Sequence, residues 1–306
     1  MIGVAVKECK SAKIKTLSKL ITSTNEDEYK RLRFNDIDFS RINFFVQNGI
    51  KKKSRSNNEY YESIEKISIE KNIPILVREL PVIRQICLDQ TGKQTDLNNR
   101  WIRFSWNSFF MDEGLHPYDP SYDRWTELQK LYNIKVHDWK SRGDYILFCL
   151  QLDGDSALNR LTYNSINYKK YCSDIIKKIK EITDRPILLR AHPYDNLTLK
   201  YIQKIYKDTI TYSNSPNLYN DLDQAHCMVT YNSTSCVESS LYGIPTITLD
   251  SSAVASLISN KLEDIEFLKD YDRDKWLKRI AFMQWQGKEM SDGYLWNLLK
   301  QTAGLN

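Results

Sequence analysis

Apolar and polar positions along the chain alternate between two patterns. Short apolar runs, typical of buried strands, are separated by longer stretches in which apolar residues recur at helical spacing. This alternation predicts βα units and a mainly parallel sheet, which is an α/β fold. In the first half the predicted strands are 2–6, 42–46, 73–77 and 101–106. The predicted helices there are 12–20, 60–71 and 123–132.

The second half repeats the pattern more regularly. Its predicted strands are 145–150, 186–190, 210–212, 227–230 and 246–249. Its predicted helices are 167–183, 197–207, 218–225 and 235–242. Five strands with intervening helices predict a doubly wound, Rossmann-like domain. The last segment, 272–299, is predicted to be a pair of tryptophan-rich helices.

The length of the chain indicates more than one domain. At 306 residues it is about twice the usual domain length. Arg142-Gly143-Asp144 breaks the pattern before a strong new strand. We therefore predict an N-terminal domain at 1–140, a C-terminal domain at 141–270, and helices at 271–306 that bridge the two. A hydrophobic content of 41% is ample for buried cores and excludes a disordered chain.

Apolar runs and cysteines indicate where in the cell the protein is located. No apolar run approaches the roughly 18 residues that cross a bilayer. The opening residues are interrupted by Lys7 and Glu8, which argues against a signal peptide. The six cysteines form no Cys-x-x-Cys pair, so reduced thiols and no metal site are expected. The prediction is a cytoplasmic protein without a membrane span, located in the host cell if a phage encodes it.

The net charge of +5 is unevenly distributed. Residues 1–150 carry 25 Lys and Arg against 20 Asp and Glu, whereas the remainder carries 19 of each. The densest basic cluster is Lys51, Lys52, Lys53 and Arg55. Such a cluster is either a solvated loop or a patch that holds the phosphates of a partner, and the charge alone leaves both open.

Polar segments follow four of the predicted strands. In an open parallel sheet, ligands bind beyond the carboxyl ends of the strands, so these segments are candidates for a site. They are 112–114 after strand 101–106, 151–156 after strand 145–150, 191–193 after strand 186–190, and 231–235 after strand 227–230.

Three consecutive hydroxyl residues, Ser233, Thr234 and Ser235, stand at the predicted start of helix 235–242. Hydroxyls, free backbone N–H groups and the positive end of the helix dipole together form a site for a phosphate or carboxylate. An ordinary N-cap needs only one such residue. The sequence therefore favours an anion site over a simple cap.

His192 and Arg190 stand where strand 186–190 ends. Pro193 stops further pairing and holds the imidazole at the edge of the sheet. The imidazole could donate to a phosphate oxygen or protonate a leaving group, although a lone histidine is more often structural. Arg190 offers either a fork for a phosphate or an ion pair with a nearby acid.

Asp112 and Glu113, followed by Gly114, lie in a loop after an aromatic strand. A general base for a hydroxyl nucleophile must sit in a cleft close to the acceptor, and a carboxylate in such a loop meets that need. An acid pair in a loop is most often solvated. A catalytic role for Asp112 and Glu113 is therefore supported mainly by the other motifs in the sequence.

The order of these motifs resembles that of bacterial sialyltransferases and capsule-type Kdo transferases. An acid-acid-Gly element precedes a His-Pro element and a Ser/Thr-Ser element. Segment 146–156 is similar to the strand, Gln and Asp-x-Ser element of the capsule Kdo transferases. Segment 238–245 is similar to the Glu-x-x-x-x-Gly-x-Pro turn of many GT-B donor domains. The resemblance covers about residues 100–250.

These enzymes are two-domain GT-B glycosyltransferases that use CMP-linked sugars. The resemblance therefore implies an α/β fold with two Rossmann-like doubly wound domains facing across a cleft. Glu113 corresponds to the general base with Asp112 beside it, and His192 to the histidine that contacts the phosphate. The predicted donor site comprises Gln151, Asp155, Ser156, Arg190, Ser233, Thr234, Ser235 and Glu238.

The predicted chemistry needs neither a metal nor a cofactor besides the nucleotide-sugar substrate. The helix N-terminus, the serine hydroxyls and His192 would stabilise the leaving nucleotide, while a carboxylate takes the proton of the acceptor hydroxyl from the opposite side. This arrangement predicts an inverting transfer of a hexosyl or ulosonyl group to a glycan.

Two other functions remain open from the sequence. A phage-type glycosyltransferase would act on a hydroxymethylated DNA base, and its basic loops would hold DNA phosphates. A catalytically inactive nucleotide-binding protein would keep the fold without turnover. The sequence does not determine the donor sugar, its nucleotide base, the linkage or the oligomeric state. It also leaves open which of Asp112, Glu113 and Asp155 is the general base.

Overall fold

The computed structural model describes residues 2–5, 20–21, 29–32, 42–49, 58–87, 101–140 and 143–305. The described chain divides into two compact units. Residues up to Tyr132 and from Leu277 onward form the first unit, and Asn133–Trp276 form the second. This division comes a few residues before the predicted boundary at 140. The basic cluster 51–55 and most of the predicted helix 12–20 lie outside the described residues.

The first unit contains one mixed sheet. Its strands are β1 (Ile2–Ala5), β2 (Tyr29–Leu32), β3 (Phe44–Asn48), β4 (Ile75–Glu79), β5 (Trp101–Trp106) and β11 (Trp285–Gln286). Their order across the sheet is β11-β5-β4-β3-β1-β2. The four strands from β4 to β2 are parallel, whereas β5 runs antiparallel to β4 and β11 antiparallel to β5.

The direction of β5 corrects one expectation from the sequence. Trp106 pairs with Leu76, and the Asn107 backbone N–H donates to the Ile75 carbonyl over 2.6 Å. The end of β5 therefore lies where β4 begins. Loop 107–114 stands at the amino edge of the parallel strands, so its expected place at the carboxyl edge is wrong. A buried apolar run does not reveal which way its strand points.

Both faces of this sheet are covered. Its helices are α1 (Asn58–Lys71), α2 (Arg124–Tyr132) and α9 (Tyr294–Ala303), while α8 (Asp274–Ala281) spans the division between the units. On one face Phe45 and Val77 pack with Ile64 of α1. On the other, Phe44 lies 5.4 Å from Trp106 and 5.5 Å from Trp296, measured between ring centroids. The tryptophan-rich tail thus completes the core of the first unit.

The second unit contains a five-stranded parallel sheet. Its strands are β6 (Tyr145–Cys149), β7 (Ile187–Arg190), β8 (Thr211–Tyr212), β9 (Ala225–Thr230) and β10 (Thr246–Thr248). The order β10-β9-β6-β7-β8 is that of a doubly wound sheet whose chain order reverses between β6 and β9. The helices are α3 (Asn159–Tyr163), α4 (Tyr168–Ile182), α5 (Asn196–Tyr206), α6 (Leu218–Leu222) and α7 (Ser235–Tyr242). The predicted α/β fold is confirmed.

Local sequence fixes where α4 begins and where α7 ends. The Asn167 side chain accepts from the Lys170 N–H over 3.1 Å and caps α4. Gly243 ends α7 at φ +86°, where a Cβ atom would lie 2.1 Å from the Asp138 carbonyl oxygen. Only glycine fits that close approach. Of the helices in the described part of the chain, none is long and apolar enough to cross a bilayer.

Candidate functional site

Three predicted segments meet at the carboxyl edge of the second sheet. In the strand register, Cys149 at the end of β6 is aligned with Arg190 on β7 and Thr230 on β9. Segments 151–156, 191–193 and 231–235 therefore leave the sheet at one edge. The β6–β9 boundary is the switch point of the doubly wound fold, where such sheets bind ligands.

A pair of buried amides fixes the two loops at the switch point. Gln151 Nε2 donates to Asn232 Oδ1 over 2.7 Å, and the Asn232 backbone N–H donates to Gln151 Oε1 over 3.0 Å. Asn232 Nδ2 also donates to the Ala157 carbonyl over 2.8 Å. The Gln151 side chain, predicted to bind donor, is thus engaged within the protein. Asn232 was missed, although its place directly before Ser233 could have drawn attention to it.

The serine turn at the start of α7 is not an ordinary cap. Ser233 Oγ accepts from the Ser235 N–H over 3.3 Å, and the Thr234 side chain forms no capping bond in the described structure. Ser235 Oγ is buried and forms no hydrogen bond with a nitrogen or oxygen atom of the described residues. The Cys149 thiol lies beside it but is only a weak hydrogen-bonding group. The Ser235 hydroxyl therefore has no strong hydrogen-bonding partner among the described residues, and it lies at the start of α7, the positive end of the helix dipole.

His192 follows β7 in a turn that sets its tautomer. The Tyr194 N–H donates to His192 Nδ1 over 3.3 Å, so the neutral ring carries its proton on Nε2. Partial burial lowers the pKa of His192, while the neighbouring Asp155 and Asp195 oppose that shift. At neutral pH this histidine can offer an uncharged Nε2–H to an anionic oxygen.

Two aspartates shape the loops beside His192. Asp155 accepts from the Ala157 N–H over 3.0 Å and stands directly before Ser156, which begins a short 3-10 turn. Buried Asp195 caps α5 and also accepts from the Asp153 N–H over 3.0 Å, which joins the two loops. Burial alone would raise the pKa of Asp195, but its hydrogen bonds outweigh that effect and lower it. Asp195 was missed, although an aspartate two residues before a predicted helix is a possible capping signal.

Arg190 and Glu238 are both held by protein partners. The Arg190 guanidinium forms an ion pair with Asp221, and its Nη1 donates to the Ser215 carbonyl over 2.9 Å. The ion pair was one of the two roles that the sequence left open. Buried Glu238 accepts from the Tyr219 hydroxyl. Burial and the adjacent carboxylate raise the pKa of Tyr219, so it remains a donor.

Asp112 and Glu113 lie in the first unit, in a closed loop. Trp106 and Leu115 exchange backbone hydrogen bonds of 2.9 and 3.1 Å, which ties the two ends of the loop together. A Cβ atom at Gly114 would lie 2.0 Å from the Ser108 carbonyl oxygen, so the tight turn requires glycine. Both acidic side chains are exposed, and Ser108 Oγ donates to Glu113 Oε2 over 3.3 Å. The Glu113 carboxylate is thus accessible on a constrained loop.

His116, which was not predicted from the sequence, lies close behind this loop. Its Nε2 donates to the Phe110 carbonyl over 3.0 Å, and its buried Nδ1 forms no hydrogen bond with the described residues. Burial lowers the pKa of His116 to about 4, the Phe110 carbonyl opposes the shift, and Arg103 and Arg279 add to it. The ring is therefore neutral at physiological pH.

The lowered pKa of His116 predicts acid lability. Because the folded pKa is about 4 and the ordinary value is 6.5, the unfolded chain binds a proton first as pH falls. The contribution of neutral His116 to the free energy of unfolding is fully present above pH 6.5, and about 3 kcal/mol of it is lost by pH 4. Urea unfolding at a series of pH values measures this loss. Between pH 6.5 and pH 4, the free energy of unfolding should fall less in His116→Gln than in wild type. Exposed His137→Gln is the matched control and should keep the wild-type slope.

Comparisons with known proteins find one matching family model and several similar solved structures. A family model of capsule polysaccharide biosynthesis proteins matches residues 121–255, which include the switch-point segments. The β-Kdo 2,4-transferase of KpsC from Thermosulfurimonas dismutans is similar at 12% identity over 92% of this chain and 90% of that one, with a TM-score of 0.54. The β-Kdo 2,7-transferase of KpsC from the same organism is similar at 11% identity over 98% of this chain and 99% of that one, with a TM-score of 0.56.

No curated protein sequence matches the chain. At identities this low, the two structures establish a shared fold. The family model adds that residues 121–255 resemble capsule polysaccharide biosynthesis proteins. The matched range begins after Asp112 and Glu113, so it bears on the second unit more than on the predicted base.

Proposed function

We propose that the chain is a glycosyltransferase that binds a CMP-linked sugar at the switch point of the second unit and transfers the sugar to a hydroxyl of a glycan. The observation that carries the proposal is the buried Ser235 hydroxyl at the start of α7, which forms no hydrogen bond with a nitrogen or oxygen atom of the described residues and has only the weak Cys149 thiol beside it. A phosphate oxygen at this position would accept its hydrogen bond and interact favourably with the helix dipole.

The leaving nucleotide is stabilised by groups of the second unit. Ser235 and Ser233 hydroxyls and the His192 Nε2–H donate to phosphate oxygens as negative charge develops on them. The Gln151 and Asn232 amide pair positions this turn without itself binding the donor. These donors act without a metal in the proposed reaction.

Glu113 is proposed to accept the proton of the acceptor hydroxyl, with Asp112 beside it. The acceptor oxygen forms a bond to the anomeric carbon, the bond from that carbon to the donor phosphate breaks, and CMP leaves with its electron pair. A single displacement of this kind inverts the configuration at the anomeric carbon. The exposed, constrained Glu113 carboxylate supports this role.

Thermal unfolding in the presence of nucleotides tests the donor class. We expect CMP to raise the melting temperature more than UMP or GMP at equal concentration. At a hundredfold excess over Kd, binding adds about 2.7 kcal/mol to the free energy of unfolding. A preference for UMP would assign a different donor base. The absence of a shift with every nucleotide would instead favour a protein that does not use a nucleotide sugar.

The alternative acceptor, DNA, would be bound through the positive charges of the basic cluster. Removing those charges therefore tests it. Changing Lys51, Lys52, Lys53 and Arg55 to Gln should leave nucleotide binding and glycan transfer intact if the acceptor is a glycan. If the acceptor is duplex DNA, the same change should weaken DNA binding and flatten its salt dependence by about 0.9 in slope for each phosphate that the variant no longer binds. Fluorescence anisotropy with labelled duplex at several salt concentrations measures both quantities. Failure of the unchanged protein to bind duplex at low salt would eliminate this alternative.

A further inference from the structure

The two oxygens of the Asp195 carboxylate serve different purposes. Oδ1 accepts from the backbone N–H groups of Leu197 and Thr198 over 3.1 and 3.0 Å, which is an ordinary N-cap of α5. Oδ2 accepts from the Thr198 hydroxyl over 2.7 Å and from the Asp153 N–H over 3.0 Å. Asp153 is 42 residues away along the chain, so this last bond connects two loops and is not needed to cap the helix.

The backbone of Asp195 is bonded to the other loop. Its N–H donates to the His192 carbonyl over 2.9 Å and closes the turn that carries the imidazole. Within that turn the Tyr194 N–H donates to His192 Nδ1, so the neutral imidazole donates through Nε2. Asp195 therefore joins the His192 turn, which follows β7, to Asp153, which follows β6.

The bond to Asp195 fixes the middle of the segment that follows β6. At the start of this segment the Gln151 N–H donates to the Tyr168 hydroxyl over 2.6 Å. Gly154 then turns the chain at φ +77°, a conformation that favours glycine. Asp153 directly precedes this turn, and its N–H is the group that Asp195 accepts. The place of the turn relative to β7 is thus set by Asp195.

An ionised carboxylate is required to make all of these bonds. Asp195 is 4% exposed, and the hydrogen bonds that it accepts lower its pKa although burial would raise it. The side chain is therefore ionised at neutral pH, and both of its oxygens are acceptors. Asparagine has one acceptor and one donor in the same shape. It can cap α5 through its oxygen, but its amide nitrogen then meets the Asp153 N–H, which is also a donor.

We propose that Asp195 is a positioning residue of the donor site, which holds the His192 turn against the segment after β6 and so places the His192 Nε2–H for a donor phosphate. The inference rests on the proposed binding of a CMP-linked sugar and specifies how one of its contacts is held. Hydrogen-bond donors stabilise a leaving phosphate only when their geometry is fixed in advance, and a shift of about 1 Å can cost roughly a hundredfold in rate. Asp195 acts through His192 and does not itself contact the nucleotide.

The variants Asp195→Asn and Thr198→Val separate positioning from capping. Asp195→Asn removes the acceptor of the Asp153 N–H, whereas Thr198→Val removes another bond to the same oxygen and leaves the Asp153 bond in place. Both variants lose a buried hydrogen bond, so both should lower the melting temperature. Hydrogen exchange, measured by mass spectrometry on peptides that cover 151–156, should become faster than in wild type in Asp195→Asn but not in Thr198→Val.

CMP affinity tests the functional part of the proposal. It is measured by isothermal titration calorimetry at a temperature where every variant is folded. We expect Asp195→Asn to bind CMP about tenfold more weakly than wild type, and Thr198→Val to bind it as wild type does. Because Asp195 acts through His192, the double change His192→Ala with Asp195→Asn should bind CMP about as weakly as His192→Ala alone. Independent effects would instead make the double variant about tenfold weaker still.

A merely structural role for Asp195 predicts different results. The proposal is overturned if Asp195→Asn binds CMP as wild type does, if Thr198→Val is weakened equally, or if the effects of Asp195→Asn and His192→Ala are independent. If Asp195→Asn does not fold, Asp195→Ser replaces it, because serine caps a helix with a single, shorter-reaching oxygen. Any of these results with normal CMP binding by wild type contradicts the role of Asp195 alone. Wild type that does not bind CMP contradicts the proposed donor, and the inference is then wrong with it.

Discussion

Glu113→Gln is expected to lower turnover about 10²- to 10⁴-fold while CMP affinity stays near that of wild type. Glutamine keeps the shape and the hydrogen bond from Ser108 but cannot accept a proton. Release of CMP from a CMP-linked sugar, with and without a glycan acceptor, measures the loss. The lost proton transfer should affect transfer to acceptor more than binding of donor.

Asp112→Asn is the matched control, because Asp112 is the exposed neighbour on the same loop and the change removes the same charge. Full activity in Glu113→Gln together with loss in Asp112→Asn or Asp155→Asn would mean that a different carboxylate is the base. The anomeric configuration of the product provides a second check. Inversion agrees with Glu113 as base, whereas retention would require a carboxylate that attacks the sugar as a nucleophile.

Asp221→Asn is expected to lower the free energy of unfolding by about 3 kcal/mol. The side chains of Arg190 and Asp221 are 17% and 8% exposed, so removing the carboxylate leaves a largely buried guanidinium without its counter-charge. Urea denaturation measures the loss. CMP affinity should change much less, because Arg190 is engaged by Asp221 rather than offered to a phosphate.

Asp223→Asn is the control from the same short segment. The Asp223 side chain is 57% exposed in its ion pair with Lys140, so its loss should affect stability much less. The double change Arg190→Met with Asp221→Leu should recover most of the lost stability, because it removes both charges. Equal effects of Asp221→Asn and Asp223→Asn would show that the Arg190 ion pair is not structural. The predicted role of Arg190 in binding the donor phosphate would then be favoured.

The sequence predicted the second unit better than the first. Helical and strand periodicity was sufficient for most of this unit, because β6, β7 and β9 are largely buried apolar runs that are each followed by a helix. Parallel order then follows from short right-handed connections. The direction of β5 was not predictable, since an apolar run of buried residues reads the same either way. The place of Trp285 and Trp296 in the first core depends on contacts that are distant in sequence.

The candidate site was predictable in position but not in detail. The residues that follow β6, β7 and β9 do meet at one edge, as the rule for parallel sheets requires. The partners were not predictable, because the Gln151 amide could bind a ligand or Asn232 with equal chemistry. His116 was overlooked for a similar reason: nothing in its neighbours along the chain indicates that its ring is largely buried and donates to the Phe110 carbonyl.

The decisive measurement for the proposed donor site is the melting temperature with CMP, compared between wild type and Ser233→Ala with Ser235→Ala. We expect a clear rise for wild type that exceeds the rise with UMP or GMP. The double serine variant should show a much smaller rise, while its ligand-free melting temperature stays close to that of wild type. An equal CMP response in the two proteins would contradict a nucleotide-phosphate site at the start of α7.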